Sequence, residues 1–318
     1  MKNLFLIALL LFFYSCNNSS DDKRKIEITK GKSSIVILGT IQDAGSPHIA
    51  CTKDCCKSLF DDPDITRQVI SLGVYDASTK NKYIFEATPD LPQQLKYLMH
   101  YGEKSEKEVP DGIFLTHAHI GHYTGLMYFG KEAMSSDNVP VYAMLRMKEY
   151  LETNGPWSQL VSEENIAITT INDGVSIRLS DKLSVTPIQV PHRDEYSETV
   201  GYQITGPNKS ALFIPDIDKW EKWDKSIIEE IKNVDYAFLD ATFYDGVELN
   251  NRDISLIPHP FIIESLDKFK DLNAVEKGKI IFIHFNHTNP VINPNSKQAK
   301  NVIENGFRIA QYHEVFEL

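Results

Sequence analysis

A chain of 318 residues that is 42% hydrophobic has room for one large domain or two small ones and can fill a core, which excludes disorder as the starting expectation. The formal net charge of −11 sets 33 basic residues against 44 acidic ones, and the basic residues form no long cluster. A non-specific nucleic-acid footprint is therefore absent, and no nucleic-acid partner is expected.

In chain order, MKNLFLIALLLFFYSC gives one Lys, an apolar run from Leu4 to Tyr14 too short to span a bilayer comfortably, and then Ser15-Cys16. This predicts a signal peptide over 1–16 whose end resembles a bacterial lipobox, with Phe13 where Leu is usual and Cys16 as the lipidated residue. An ordinary signal peptide with a chance Cys is the alternative. NNSSDDK begins a flexible tether over 17–32, and its acidic patch resembles a surface-export signal. The expected location is outside the cytoplasm, lipid-anchored to a bacterial membrane on the periplasmic side or the cell surface.

SIVILGT predicts a first strand that breaks into the loop QDAGSPHIACTKDCC, followed by two short runs, VISLGVYD and KYIFEA. Asp90 is a plausible cap for a helix with apolar residues at 91, 95 and 98. GIFLTH reads as a buried strand, PVYAM as another, with a helix near Met147 and short strands from Ile166 to Pro187. TVGYQI and SALFIPD form a pair across GPNKS. Helix Ile217 to Lys232, strand YAFLDAT, helix Ile262 to Leu272, strand KIIFIHF and helix Ser296 to Glu304 complete the pattern. Strand meanders with helices between them, in two halves, predict an α/β sandwich: two packed mixed sheets with helices outside, in a single domain over 33–318.

In LTHAHIGHYTGL, His117 and His119 are two apart at a strand end and His122 follows in the turn. Imidazoles spaced in this way can converge on one metal, because the strand end fixes two backbones while the turn folds the third back. Cys51, Cys55 and Cys56 are too clustered for a disulfide framework. They suit part of a metal site or, alternatively, a vicinal disulfide at Cys55–Cys56 with one free thiol. His48, His100 and His313 show no ligand context.

The segment resembles the HxHxDH motif of the metallo-β-lactamase superfamily, and the chain resembles it over about residues 34 to 318. The resemblance implies the αββα four-layer sandwich. It also implies further ligands: His192 in VPHRDEYSETVGYQI, Asp216 in ALFIPD as the bridging carboxylate, and His284 in IIFIHFNHTNP. The first metal site would be His117, His119, His192 and Asp216. The second would keep His122, His284 and Asp216, but the motif's Asp is Gly121 here. Asp43 is a possible extra ligand. One or two active-site Zn²⁺ ions are expected, with Fe²⁺ or Mn²⁺ as alternatives.

LGTIQDAGSPHIACTKDCC, FEATPD and IHFNHTNP resemble the branch containing coenzyme PQQ synthesis protein B and the cyclic phosphodiesterase of phosphonate breakdown. That resemblance implies a structural Zn²⁺ on Cys51, Cys55, Cys56 and His287, although position 53 is Lys and the middle thiol is displaced to Cys55. Asp240-Ala241-Thr242 followed by His259 resembles the tRNA 3′-processing endonucleases, and implies an Asp240-oriented His259 acting as general acid. A helix-start His bonded to local backbone is the alternative.

The expected function is a metal-dependent hydrolase acting on a small phosphodiester or related ester through metal-bound hydroxide, with Asp216 holding the nucleophile. Lactones or β-lactam amides come next as substrates. The alternatives are an iron-dependent oxygenase or cofactor-related protein like PQQ synthesis protein B, and a non-catalytic binding protein on the same fold.

Overall fold

The computed structural model describes residues 31–103, 106–249 and 253–318. The signal peptide, Cys16 and nearly all of the tether lie outside the described residues. Among the described residues, no helix is long and apolar enough to cross a membrane.

Two seven-stranded sheets form the centre. The first holds β1 (Ser34–Gly39), β2 (Ser71–Tyr75), β3 (Lys82–Phe85), β4 (Gly112–Phe114), β5 (Val139–Ala143) and β6 (Ile166–Thr170). The second holds β7 (Ile177–Arg178), β8 (Ser184–Gln189), β9 (Val200–Thr205), β10 (Ser210–Ile214), β11 (Tyr236–Asp240), β12 (Ile280–Ile283) and β13 (Arg308–Ile309). The last strand, β14 (Val315–Glu317), returns to pair antiparallel with β1 and ties the C-terminus into the first sheet. The helices are α1 (Leu91–His100), α2 (Ile120–Tyr123), α3 (Leu145–Thr153), α4 (Trp157–Ser162), α5 (Ile227–Lys232), α6 (Ile262–Lys268), α7 (Ala274–Lys279) and α8 (Lys297–Glu304).

Each sheet is antiparallel on one side and parallel on the other. β3, β4, β5 and β6 run parallel in the first sheet, and β10, β11, β12 and β13 in the second. Parallel neighbours need a long return connection, and the helices supply it, which places helices on the outer faces. Alternation in β1 shows the layering. Ile35 and Ile37 point into the core between the sheets, while Val36 and Leu38 pack outward under the α1 layer with Leu91, Leu95 and Leu98. A third cluster, including Ile217, Ile231 and Val302, seals the outer face of the second sheet. This is the four-layer αββα sandwich that the sequence led us to expect.

At the centre, the Phe114 ring stacks on Phe85 with centroids 4.8 Å apart and on Tyr142 at 4.4 Å, and meets Tyr202 of the other sheet at 5.5 Å. Phe114→Ala is expected to cost about 3–5 kcal/mol, since the side chain is fully buried and three aromatic neighbours cannot collapse into the gap. Urea unfolding measures this, and a loss below about 1 kcal/mol would contradict it.

Three local expectations are corrected. Ile217 to Lys232 is not one helix, because Trp220 and Trp223 turn inward and their indole N–H groups bind Ser265 Oγ (2.9 Å) and Gln189 O (3.0 Å). Only Ile227–Lys232 remains α-helical, after a short 3₁₀ turn at Trp220–Lys222. The helix from Ile262 stops at Lys268 rather than Leu272, where Phe269 turns fully into the core. Asp90 precedes α1 but does not cap it, because its carboxylate accepts from Val69 N at 2.7 Å.

Candidate metal centre

The parallel strands end on one edge, where an α/β fold presents its ligand-binding groups. His117 follows β4, Asp216 follows β10, Asp240 closes β11 and His284 comes directly after β12. The short α2 turns the chain so that His122 faces back, and His192 enters from the loop between β8 and β9. The second sheet also grips the His117 segment directly. Val200 N donates to Thr116 O, Ala118 N donates to Ser197 Oγ, and the Tyr202 hydroxyl donates to Leu115 O.

His117 Nε2 and His119 Nδ1 lie 2.8 Å apart, and Asp216 Oδ2 is 3.4 Å from His117 Nε2 and 3.3 Å from His192 Nε2. Donor atoms of these four residues all fall within 4.8 Å of one another. A second set, Asp43, His122, Asp216 and His284, meets the same condition and shares Asp216 with the first. Asp43 Oδ1 is 3.0 Å from His122 Nε2 and 3.1 Å from His284 Nε2. A third set joins Asp216, Asp240 and His259, with His259 Nδ1 3.1 Å from Asp216 Oδ1 and 2.9 Å from Asp240 Oδ2.

The ring nitrogens that face away from the centre are held by carboxylates, two of them through a threonine. Thr116 Oγ1 donates to Glu86 (2.6 Å) and receives His117 Nδ1 (2.9 Å). Thr242 Oγ1 donates to Asp240 (2.7 Å) and receives His284 Nδ1 (2.8 Å). His192 Nδ1 lies 3.3 Å from Asp218, and His122 Nδ1 lies 3.2 Å from Glu86. These partners hold a proton on Nδ1 of His117 and His284 and so turn Nε2 of both rings inward, the orientation that metal ligation requires. His192 Nε2 is buried without a hydrogen-bond partner, which also fits a nitrogen intended for a metal. The donor set of imidazoles and carboxylate suits Zn²⁺, Fe²⁺ or Mn²⁺.

Electrostatics separates the two histidine groups. Burial and the neighbouring His122 hold His117 well below its ordinary range, and burial lowers His119 to about 4. Burial alone would also depress His122 and His284, but Asp43 and Glu86 lift His122 well above 6.5, and hydrogen bonds donated to Asp240 and Asp43 raise His284 to about 9. Burial would raise Asp216, yet His192 and His259 keep it ionised well below the usual carboxylate range.

Glu86, Thr116, Thr242 and Asp218 were not singled out in the sequence. Glu86 carried a legible signal: a lone carboxylate closing the apolar run KYIF must be paired if it is buried, and it is fully buried. It sits at φ 78°, a left-handed conformation rare for a non-glycine residue, as does His284 at φ 69°. Glu86→Gln is expected to weaken metal binding about 10–100-fold, the usual consequence of losing a carboxylate behind a ligating His. Competition against a chelator of known affinity measures it, and unchanged affinity would remove Glu86 from this role.

On the other side of the β12 loop, Cys51, Cys55, Cys56 and His287 bring their donor atoms within 4.8 Å of one another. All three thiols are free, so the Cys55–Cys56 disulfide alternative is not realised. The displaced middle thiol still reaches: Cys55 Sγ is 3.7 Å from Cys51 Sγ and 3.9 Å from Cys56 Sγ. Burial and the two adjacent sulfurs push the Cys55 thiol up to about 12, and burial, with His48 and Lys53, lowers His287 to about 4. Thiols packed this closely ionise together only around a cation, and a neutral His287 offers a lone pair, so the set fits a closed tetrahedral zinc. His48, expected to lack ligand context, stacks on His287 at 4.5 Å and so borders this cluster.

Comparison with known proteins agrees with this geometry. The family model for the Beta-lactamase superfamily domain matches residues 81–285. Coenzyme PQQ synthesis protein B of Gluconobacter oxydans (strain 621H) is 24% identical over 309 residues, covering 89% of this chain and 98% of that protein. Among solved structures, Zn(2+)-bound PqqB from Methylobacterium extorquens matches with a TM-score of 0.74 and 21% identity, over 90% of this chain and 100% of that one. A diphosphatase from the PhnP family matches with a TM-score of 0.63 and 21% identity, over 90% and 97%. With its two mixed sheets, its histidine and carboxylate clusters at the strand ends and the match over 81–285, the chain belongs to the metallo-β-lactamase superfamily.

Proposed function

We propose that this protein is a metal-dependent hydrolase of a small phosphodiester or related phosphoryl ester, with His117, His119, His192 and Asp216 holding one ion and His122 and His284 helping to hold a second. Divalent ions bound there would supply Lewis acidity and lower the pKa of coordinated water. Asp216 links the two sets through its Oδ2 atom and, through Oδ1, faces His259. His259, oriented by Asp240, delivers a proton to the leaving oxygen. The observation that carries this reading is the Asp240–His259 pair, an oriented acid set directly against the shared carboxylate. A purely structural metal site has no use for such an acid. The likeness to a structure described as a diphosphatase supports phosphoryl chemistry.

The test is turnover of bis-p-nitrophenyl phosphate by protein loaded with zinc, manganese or iron, beside a His117→Ala control. Absence of turnover above the control with every metal would sink the hydrolase reading. A second reading, an iron-dependent step related to coenzyme PQQ synthesis, draws on likeness to that protein along nearly its whole length. Oxygen consumption by the iron-loaded protein in place of hydrolysis would favour it. We also propose export and lipid anchoring through Cys16, for which Cys16→Ser should abolish membrane association; retained association would refute it.

A further inference from the structure

The loss of the motif's aspartate at Gly121 leaves the second set with His122, His284 and the shared Asp216 from the parts of the chain that the family motif covers. The space beside Gly121 is filled by another part of the chain. A Cβ built there would lie 2.3 Å from Asp43 Cα, 2.4 Å from its Cβ and 2.9 Å from its Cγ. No side chain at position 121 is compatible with Asp43 where it stands. Glycine at 121 and aspartate at 43 therefore go together: the loop after β1 occupies the volume that a side chain on the α2 turn would need, and it brings a carboxylate of its own.

That carboxylate contacts both terminal histidines of the second set, at 3.0 and 3.1 Å, and is 12% exposed. Its loop is pinned on both sides of it. On one side Gln42 N donates to Phe285 O (2.9 Å) and Phe285 N donates to Thr40 O (2.8 Å), locking the loop to the residue after His284. On the other, the loop runs into the thiol cluster, whose fourth member, His287, lies three residues beyond His284. His48 N donates to Cys56 Sγ, and Arg67 binds both Ser46 Oγ (2.9 Å) and Cys55 O, closing the loop on itself.

We propose that Asp43 is the fourth protein ligand of the second metal site, replacing the carboxylate missing at Gly121, and that the thiol cluster on the same loop holds Asp43 in place. The proposal rests on reading the centre as a metal site and is independent of the reaction performed there. It makes the cluster more than a staple, because its state sets the occupancy of a site on the other face of the loop.

The test counts zinc in the full chain by elemental analysis, after dialysis against a zinc buffer that keeps the wild-type complement, with circular dichroism to confirm folding. Asp43→Asn should lose one equivalent while the first site and the cluster stay filled. Gly121→Ala alters no ligand, but its methyl group must displace Asp43, so it should lose the same equivalent. The double variant should lose no more than either single one. Cys51→Ser should lose two equivalents, the cluster ion and the second-site ion. Where that variant does not fold, an organic mercurial added to the folded wild type should release two zinc ions to a chromogenic chelator instead of one. Wild-type zinc content in Asp43→Asn or in Gly121→Ala would overturn the ligand assignment. A loss of only one ion from Cys51→Ser, or release of only one by the mercurial, would overturn the coupling. Chains that bind zinc as described yet hydrolyse no phosphodiester would refute the hydrolase reading alone.

Discussion

Asp216→Asn is expected to abolish turnover, by a factor of at least about 1,000, and to lower the affinity of both active-site ions together. The substitution keeps the shape of the side chain and removes its charge. Asp216 Oδ2 lies 3.4 Å from His117 Nε2, 3.3 Å from His192 Nε2 and 3.8 Å from His122 Nε2, so a single oxygen serves both sets. Its carboxylate is 2% exposed and no Lys or Arg pairs with it among the described residues, so its negative charge is compensated by imidazoles and by whatever cation they hold. Lewis-acid stabilisation is worth several kcal/mol of barrier, and each ~1.4 kcal/mol is tenfold in rate, which sets the expected size. Metal content and kcat measured on the same preparation check it. Turnover within tenfold of wild type, with both ions retained, would show that Asp216 is not the shared ligand.

The second large effect is at His259, and it depends on the leaving group. Removing a general acid costs about 10²–10⁴-fold when the departing oxygen needs a proton, and little when it leaves readily as an anion. His259→Asn should therefore hydrolyse bis-p-nitrophenyl phosphate nearly as well as wild type, and lose two or more orders of magnitude on a diester with an alkyl leaving group. Burial by itself would strip the proton from this ring, but Asp240 and Asp216 hold its pKa well above 6.5. The acid form is therefore present at neutral pH and is lost as pH rises through that raised value. With alkyl esters the wild-type rate should fall on the alkaline side, and the variant should lack that limb. Equal losses on both substrates would make His259 a structural residue.

The His117–His119–His122 cluster was legible because it follows a buried strand, where hydrophobic patterning and residue type coincide. The buried run GIFL must stop where the chain leaves the core, so the His residues that follow it are placed by the strand before them, whereas His192, Asp216 and His284 were pointed to by the family resemblance. The structure brings His117, His119, His122, His192, Asp216, His284, Asp240 and His259 together at the strand ends. The groups that orient them were harder to see. Thr116, Thr242 and Asp218 act through hydrogen bonds to ring nitrogens, and nothing in a threonine's spacing shows which way an imidazole will turn. The helix expected over Ile217 to Lys232 failed for a related reason, since its two tryptophans turn inward to partners on α6 (Ser265) and β8 (Gln189), which a continuous helix would not have reached.

LTHAHIGH by itself determined that histidines gather at the end of a buried strand, and its resemblance to the HxHxDH motif marked Gly121 as the place where a ligand was missing. Only the tertiary structure decided what became of that ligand. Asp43 and His122 are 79 positions apart, and Asp43 and His284 are 241 apart. Sequence patterning reports on neighbours one or two turns away, whereas contact across such separations is set by how the sheets stack and where their loops must close. The vacancy was a local property of the chain, and its filling is a property of the fold.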